Sequence, residues 1–228
     1  MNKVLLGLLV AIALLTSCKK EGSFEVGNGS GTGADGGGNY QPTSKGSYWK
    51  YKETGAFNRE TLMTCTDQTK VMNGINYVMA QVTAVGVPGV QEGFFGRKDH
   101  EYYTFQSAVA PSTGVTLNIT MMHLNDTAAI GYSWEHEAVR ANGTVGYING
   151  SIVEKGITHK VGANTFKDVI HTSLILSYDM PVFGKLPFIT YEFYIAKNIG
   201  IIQIESNGDP IMTGGLKSVS NLTEYSIK

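Results

Sequence analysis

The sequence predicts an all-β, mainly antiparallel fold: a single curved sheet forming a half barrel or barrel-like body, with little helix. Two observations carry this expectation. From Thr43 onward the chain is rich in β-branched and aromatic residues, with Gly, Asn and Pro as punctuation roughly every eight to twelve residues. Within its apolar runs the side-chain period is two rather than 3.6. Thr116 to Leu124 puts Leu117, Ile119, Met121 and His123 on one face and Thr116, Asn118, Thr120 and Met122 on the other. Ile170 to Tyr178 separates Ile170, Thr172, Leu174, Leu176 and Tyr178 from His171, Ser173 and Ser177 in the same way. With 228 residues, 42% hydrophobic and 16% charged, the chain can fill one core of ordinary size.

At the N-terminus, Met1, Asn2 and Lys3 form a short positive start. Val4 to Leu15 follows as an uncharged, mostly aliphatic segment, which as a helix would cover roughly 18 Å against the ~30 Å of a hydrocarbon core. This segment therefore reads as a secretory signal and not as a membrane span. Leu15-Thr16-Ser17-Cys18 resembles the bacterial lipobox, in which small residues precede the Cys at which a lipoprotein signal peptidase cuts. The resemblance implies a signal peptide over 1–17 and a mature chain that starts at lipidated Cys18. Two or more acyl chains, at about 0.8 kcal/mol per buried CH₂, hold a protein on a bilayer stably. No other stretch reaches eighteen apolar residues.

Residues 18–42 form the next unit, the lipidated Cys and a tether with Gly22, Gly27, Gly29, Gly31, Gly33, Gly36, Gly37 and Gly38 and little that is apolar. As a flexible coil, this tether has an r.m.s. reach of roughly 25–30 Å. Gly31, Gly33 and Gly36 match the spacing G-x-G-x-x-G, but no strand pattern precedes them to build a dinucleotide turn.

The third unit, 43–228, is the β-rich domain. Gly46-Ser47-Tyr48-Trp49-Lys50-Tyr51 opens its first strands, and Leu62 to Thr66 alternates as a half-buried strand around Cys65. Phe188 to Ala196 and Ile199 to Glu205 form a hairpin through Lys197-Asn198. Asn73-Gly74, Asn142-Gly143, Asn149-Gly150 and Asn207-Gly208 are expected reversals, because Asn-Gly accepts the positive φ of tight hairpin turns. An approximate repeat runs through the domain. The opening motif recurs as Gly131-Tyr132-Ser133-Trp134-Glu135-His136. Asn73-Gly74-Ile75-Asn76-Tyr77 has a counterpart in Gly162-Ala163-Asn164-Thr165-Phe166, and Phe94 to Lys98 has one in Phe193 to Lys197. An internal duplication is one reading of these pairs, and the halves would then pair into one sheet system. Only the short Val109 to Gly114 stretch resembles a linker.

The Gly46 to Tyr51 motif, together with Tyr191-Glu192-Phe193-Tyr194-Ile195-Ala196-Lys197-Asn198-Ile199-Gly200, is similar to a broad set of uncharacterised Bacteroidota envelope lipoproteins. Their bodies resemble lipoprotein-carrier half barrels or calycins. The resemblance implies an outer-membrane, lipid-anchored protein on the periplasmic face or the cell surface. Lys19-Lys20-Glu21 departs from the acidic run that follows the Cys in surface-exported members. Asp126-Thr127-Ala128 resembles an O-glycosylation acceptor of that phylum, with Thr127 as the modified residue; an ordinary loop is the alternative.

The formal charge of −1 excludes the basic field that nucleic-acid binding needs. With Cys18 acylated, Cys65 has no partner in the mature chain and reads as a buried, inert thiol. Asp99-His100-Glu101 and Glu135-His136-Glu137 place His and carboxylate on opposite strand faces, so these residues are expected to be solvated strand or turn positions. His171 is expected on the exposed polar face and His123 in the core or a cavity. No G-x-S-x-G, H-E-x-x-H or Gly-Lys-Ser phosphate-loop motif occurs, and no catalytic residue, metal or cofactor is assigned. What remains is an excess of Tyr, Phe and Met. It reads either as core packing or as the wall of a cavity for an apolar ligand, with Met63, Tyr102, Tyr103, Met121, Met122, Tyr191 and Phe193 as wall residues. The favoured function is a non-catalytic binding or carrier module whose partners are the membrane, through its anchor, and an apolar small molecule or an envelope protein. A structural subunit of an outer-membrane assembly is the alternative, and a hydrolase built from scattered carboxylates and His is the third reading.

Overall fold

Apolar residues at alternate positions, broken by turn residues, fold into antiparallel strands. A computed structural model of the protein describes residues 39–109, 116–141, 144–180 and 182–228. The signal segment, Cys18, the glycine tether, Asn142-Gly143 and most of Val109 to Gly114 lie outside the described residues. These contain twelve strands and no helix: β1 (Tyr48–Gly55), β2 (Arg59–Met72), β3 (Ile75–Ala84), β4 (Gln91–Lys98), β5 (Glu101–Val109), β6 (Thr116–Asn125), β7 (Ser133–Ala141), β8 (Thr144–Val161), β9 (Asn164–Met180), β10 (Gly184–Ala196), β11 (Gly200–Gly208) and β12 (Lys217–Ser226). No helix among the described residues is therefore long and apolar enough to cross a membrane.

All twelve strands belong to one sheet in the order β6-β5-β4-β3-β2-β1-β12-β11-β10-β9-β8-β7. Two six-strand meanders, β1 to β6 and β7 to β12, join through the β1–β12 ladder, and the sheet curls until β6 and β7 meet in a nearly closed barrel. The approximate sequence repeat falls on equivalent strands of the two meanders. Trp49 lies in β1 and Trp134 in β7, the turns at Asn73-Gly74 and Gly162-Ala163 lead into β3 and β9, and Phe94 and Phe193 lie in β4 and β10.

Turn chemistry explains most reversals. Asn73 and Gly74 take φ of 51° and 74°, as a type I′ hairpin requires, and Asn198 turns β10 into β11 at φ 61°. Asn149-Gly150 is a correction: both residues lie inside β8 and pair with β7 and β9. Gly150 is small for a packing reason. Trp134, directly opposite on β7, lays its indole over it, and a Cβ there would run into the ring. Asn207-Gly208 likewise ends β11, and the reversal itself is made by Asp209 to Leu216.

The barrel interior is filled unevenly. At the end holding the β2–β3, β4–β5, β8–β9 and β10–β11 turns, Trp49, Cys65, Ala80, Phe95, Phe166, Val169 and Ile202 pack solidly, next to a second cluster of Tyr102, Leu124, Ile170, Leu174 and Ile195. Two aromatic donors tie β1 to the β10–β11 turn and to β11 there, Trp49 Nε1–H to the Ile199 carbonyl at 2.6 Å and Tyr51 O–H to that of Ile201 at 2.8 Å. The chain joins the body at this closed end, where Asn198 N–H donates to the Asn39 carbonyl at 2.6 Å.

Candidate functional site

Towards the other end the packing opens into a cavity of about 390 Å³. Its lower wall is apolar and comes from the inward-facing positions of many strands, among them Met63, Phe95, Ile119, Met121, Tyr191 and Phe193. Its upper wall is mixed, with polar Thr61, Gln91, Gln106, Ser206 and Ser218 beside Phe57, Ala84, Val87 and Leu216. This gradient follows from the register. Along β1 the inward series Trp49, Tyr51, Glu53 runs from the solid core to the rim, and along β2 Arg59, Thr61, Met63, Cys65 runs back down. Beyond the rim the connecting loops carry exposed Val85, Val90, Val182, Phe183 and Ile211.

One ion pair stands at the mouth. Glu53 and Arg59 face each other across the β1–β2 ladder, and Arg59 Nε–H donates to Glu53 Oε2 at 2.6 Å. Their side chains are only 13% and 15% exposed, and the Arg59 guanidinium sits 5.3 Å from the Phe57 ring centroid. Arg59 Nη1 is buried and has no hydrogen-bond partner. Sequence reasoning missed this pair, although Glu53 continues the inward alternation of Trp49 and Tyr51 and so had to meet the interior.

Of the residues expected as cavity wall, Met63, Met121, Tyr191 and Phe193 line this space. Burial pushes the Tyr191 hydroxyl up to about 12, so it stays protonated and available as a donor. Tyr102, Tyr103 and Met122 are not among the lining residues. Tyr102 lies in the closed-end core. Tyr103 packs with Phe105 against Ile75, Tyr77, Met79 and Phe94 in a separate apolar cluster. Met122 is at the seam between β6 and β7. Ordinary alternation explains the split, since Tyr103 and Met122 each follow an inward neighbour by one residue; the β-bulge lies one step further on, where Tyr102 pairs with Leu124 but Tyr103 with Met122, leaving His123 as an extra residue and returning Leu124 to the core.

That seam is held by side chains. Trp134 Nε1–H of β7 donates to the Met122 carbonyl of β6 at 3.2 Å. The Nε2 atom of His136 lies 3.1 Å from the Thr120 carbonyl and 3.4 Å from the Met122 amide nitrogen. Burial lowers the His136 pKa, and the nearby Thr120 carbonyl opposes the shift. His123 is fully buried against Phe193, with ring centroids 5.8 Å apart, and neither ring nitrogen has a hydrogen-bond partner. Desolvation pulls its pKa down to about 4, only partly offset by the Met121 backbone.

The other titratable residues serve as fasteners. Asp126, with no exposed side-chain surface, accepts from Tyr102 O–H at 2.9 Å and lies 3.0 Å from His100 Nδ1, while Lys155 donates to the Asp126 and Ala128 carbonyls. This network sits beneath Tyr40, whose amide reaches the Tyr102 hydroxyl, and it pins the chain's arrival to the closed end. His100 and His136 are thus bonded rather than freely solvated, because each meets a partner from a neighbouring strand or loop. Glu135 and Glu137 pair with Lys185 and Arg140 at the surface. On the outer face, His171 is only 13% exposed, a correction to the sequence expectation. Tyr194 stacks on it at 4.4 Å, and Glu154 and Glu192 flank its two ring nitrogens. Tyr194 also stacks on His159 at 3.8 Å. Among the described residues no group of three or more His, Cys, Asp or Glu could hold a metal. Burial raises the Cys65 thiol to about 12. Thr127 is exposed, its hydroxyl turned back onto Asn125 Oδ1 at 3.1 Å.

No protein-family model and no curated protein matches the chain. Two crystal structures are similar in shape. One is a candidate exported protein with a YmcC-like fold from Bacteroides fragilis, at 12% identity and a TM-score of 0.48 over 81% of this chain and 97% of that one. The other is a candidate lipoprotein from Parabacteroides distasonis, at 14% identity and a TM-score of 0.47 over 84% of this chain and all of that one.

Proposed function

We propose that the protein is a lipid-anchored envelope lipoprotein, held at the outer membrane through acylated Cys18, whose barrel is a non-catalytic binding module for an apolar ligand. The observation that carries this reading is the open cavity of about 390 Å³ with an apolar floor and a rim of mixed polarity. Its size falls at the lower end of the ~300–1,000 Å³ usual for small-molecule sites. The surroundings support the same reading, since the polar clusters around Asp126 and His171 are internally satisfied and lie outside the cavity wall. The Leu15-Thr16-Ser17-Cys18 motif supports the anchor, and the glycine-rich segment supports a body held off the lipid surface.

The test uses residues 18–228 with Cys18→Ser, which keeps the chain free of acyl groups and detergent. The environment-sensitive hydrocarbon diphenylhexatriene should bind it saturably. A variant that fills the cavity, Ile119→Trp with Ile204→Trp, should lose that binding while keeping the wild-type urea midpoint to within about 1–3 kcal/mol of stability. Equal uptake by the filled variant would remove the cavity from the reading. The anchor is tested separately by the intact mass of protein taken from its native envelope, where an unmodified N-terminus would end that part of the proposal.

A further inference from the structure

Resting on the binding reading above, the geometry points to an acyl compound as ligand: its hydrocarbon chain lies along the apolar floor, and its carbonyl or carboxylate oxygen accepts a hydrogen bond from Arg59 Nη1. The argument starts from a donor without an acceptor. Guanidinium N–H groups are strong donors, and leaving one buried and unpaired forfeits its hydration with nothing in return. Arg59 lines the cavity and spends its Nε–H on Glu53 at 2.6 Å, while its Nη1 is buried with no partner. The Phe57 ring beside the guanidinium and the cross-strand Glu53 hold its plane in place, so the free donor is positioned in advance.

An oxygen acceptor in the ligand satisfies that donor. Glu53 already balances the Arg59 charge, so the pair does not create a site for a bare anion. It selects for an acceptor joined to something that prefers the apolar floor. The floor supplies the second half of the specificity, because Met63, Ile119, Met121 and Phe193 offer only hydrocarbon, thioether and aromatic surface. A cavity of about 390 Å³ suits a single chain. Fatty acids and acyl esters share this chemistry, and the experiment tells them apart.

Three fluorescent probes are titrated into residues 18–228 carrying Cys18→Ser: cis-parinaric acid, its methyl ester, and diphenylhexatriene, which has no acceptor. Arg59→Met is expected to weaken parinaric acid at least tenfold relative to diphenylhexatriene. A parallel loss for the methyl ester assigns the site to acyl carbonyls in general, whereas loss for the acid alone assigns it to a free carboxylate. Arg59→Met strands Glu53, so the double variant Arg59→Met with Glu53→Gln, which removes both charges, must show the same pattern. If all three probes bind the wild type and neither variant separates them, the Arg59 inference is overturned and the cavity reading stands. If diphenylhexatriene fails to bind the wild type, or the filled variant still binds it, the cavity reading fails and takes the inference with it.

Discussion

His123→Leu tests the electrostatics of the barrel core most directly. The imidazole is fully buried beside Phe193, and both ring nitrogens lack partners. Burial moves its pKa from 6.5 to about 4. Because the folded value is depressed, the unfolded chain binds a proton on His123 in a range where the folded chain does not. Stability from this residue is complete above pH 6.5 and is lost as pH falls from 6.5 towards 4. Over the whole window the loss is about 3 kcal/mol, and by pH 5 it is about 2 kcal/mol. Leucine has no proton to bind and leaves no orphaned nitrogen in the core, so at pH 7.5 the variant should be at least as stable as the wild type, an unpaired buried polar group costing about 1–3 kcal/mol. Urea unfolding followed by tryptophan fluorescence at pH 7.5 and pH 5 reads both quantities. The expected result is that the wild type loses about 2 kcal/mol more than His123→Leu between the two conditions. His136, whose pKa is also lowered by burial, acts in the same direction in both proteins and cancels from the comparison. Equal losses in the two proteins would show that His123 is not held neutral by the core and would refute the reasoning.

Three further outcomes follow from the same structure. Trp134→Phe removes the indole donor to the Met122 carbonyl, so it should cost about 1 kcal/mol and speed hydrogen exchange in β6 more than in β9; uniform exchange would count against a seam fastened by that bond. Gly150→Ala places a Cβ against the Trp134 indole and should lower stability by about 1–3 kcal/mol in urea melts. Cys65, 2% exposed and with its thiol raised to about 12, should resist a thiol reagent such as Ellman's at pH 8 until urea unfolds the barrel, and rapid labelling of folded protein would contradict its burial.

Much of the strand framework was legible because the barrel has one inside and one outside, which imposes period two on β9 and on both strands of the β10–β11 hairpin. Asn73-Gly74 could be read as a turn since its backbone needs positive φ at both positions. Asn149-Gly150 uses the same two letters for another purpose, room for Trp134 across the ladder, and no local pattern distinguishes the two uses. The cavity wall was only half legible. Met63, Met121, Tyr191 and Phe193 keep the alternation of their strands, which turns Met122 away from the cavity, and the bulge at His123 shifts the alternation only beyond it. Which faces Tyr102 and Tyr103 occupy depends on partners that only the folded sheet brings together. Glu53 and Arg59 went unnoticed for a different reason: charge at an inward position reads as a surface residue until its opposite number across the hairpin is known.

The join between β6 and β7 bears on what the barrel can hold. A fully hydrogen-bonded hoop has its girth set by strand number and by a whole-number stagger, so widening it means breaking rungs or slipping register. Here the hoop is interrupted, and β6 is held by side chains resting on its main chain: the indole and imidazole of β7, and from β9 the Thr172 hydroxyl, which donates to the His123 carbonyl at 2.9 Å. Such a clasp lengthens by rotating side chains, with every backbone rung left intact. Any widening of the bore would therefore be taken up first at this join, where the two aromatic rings sit.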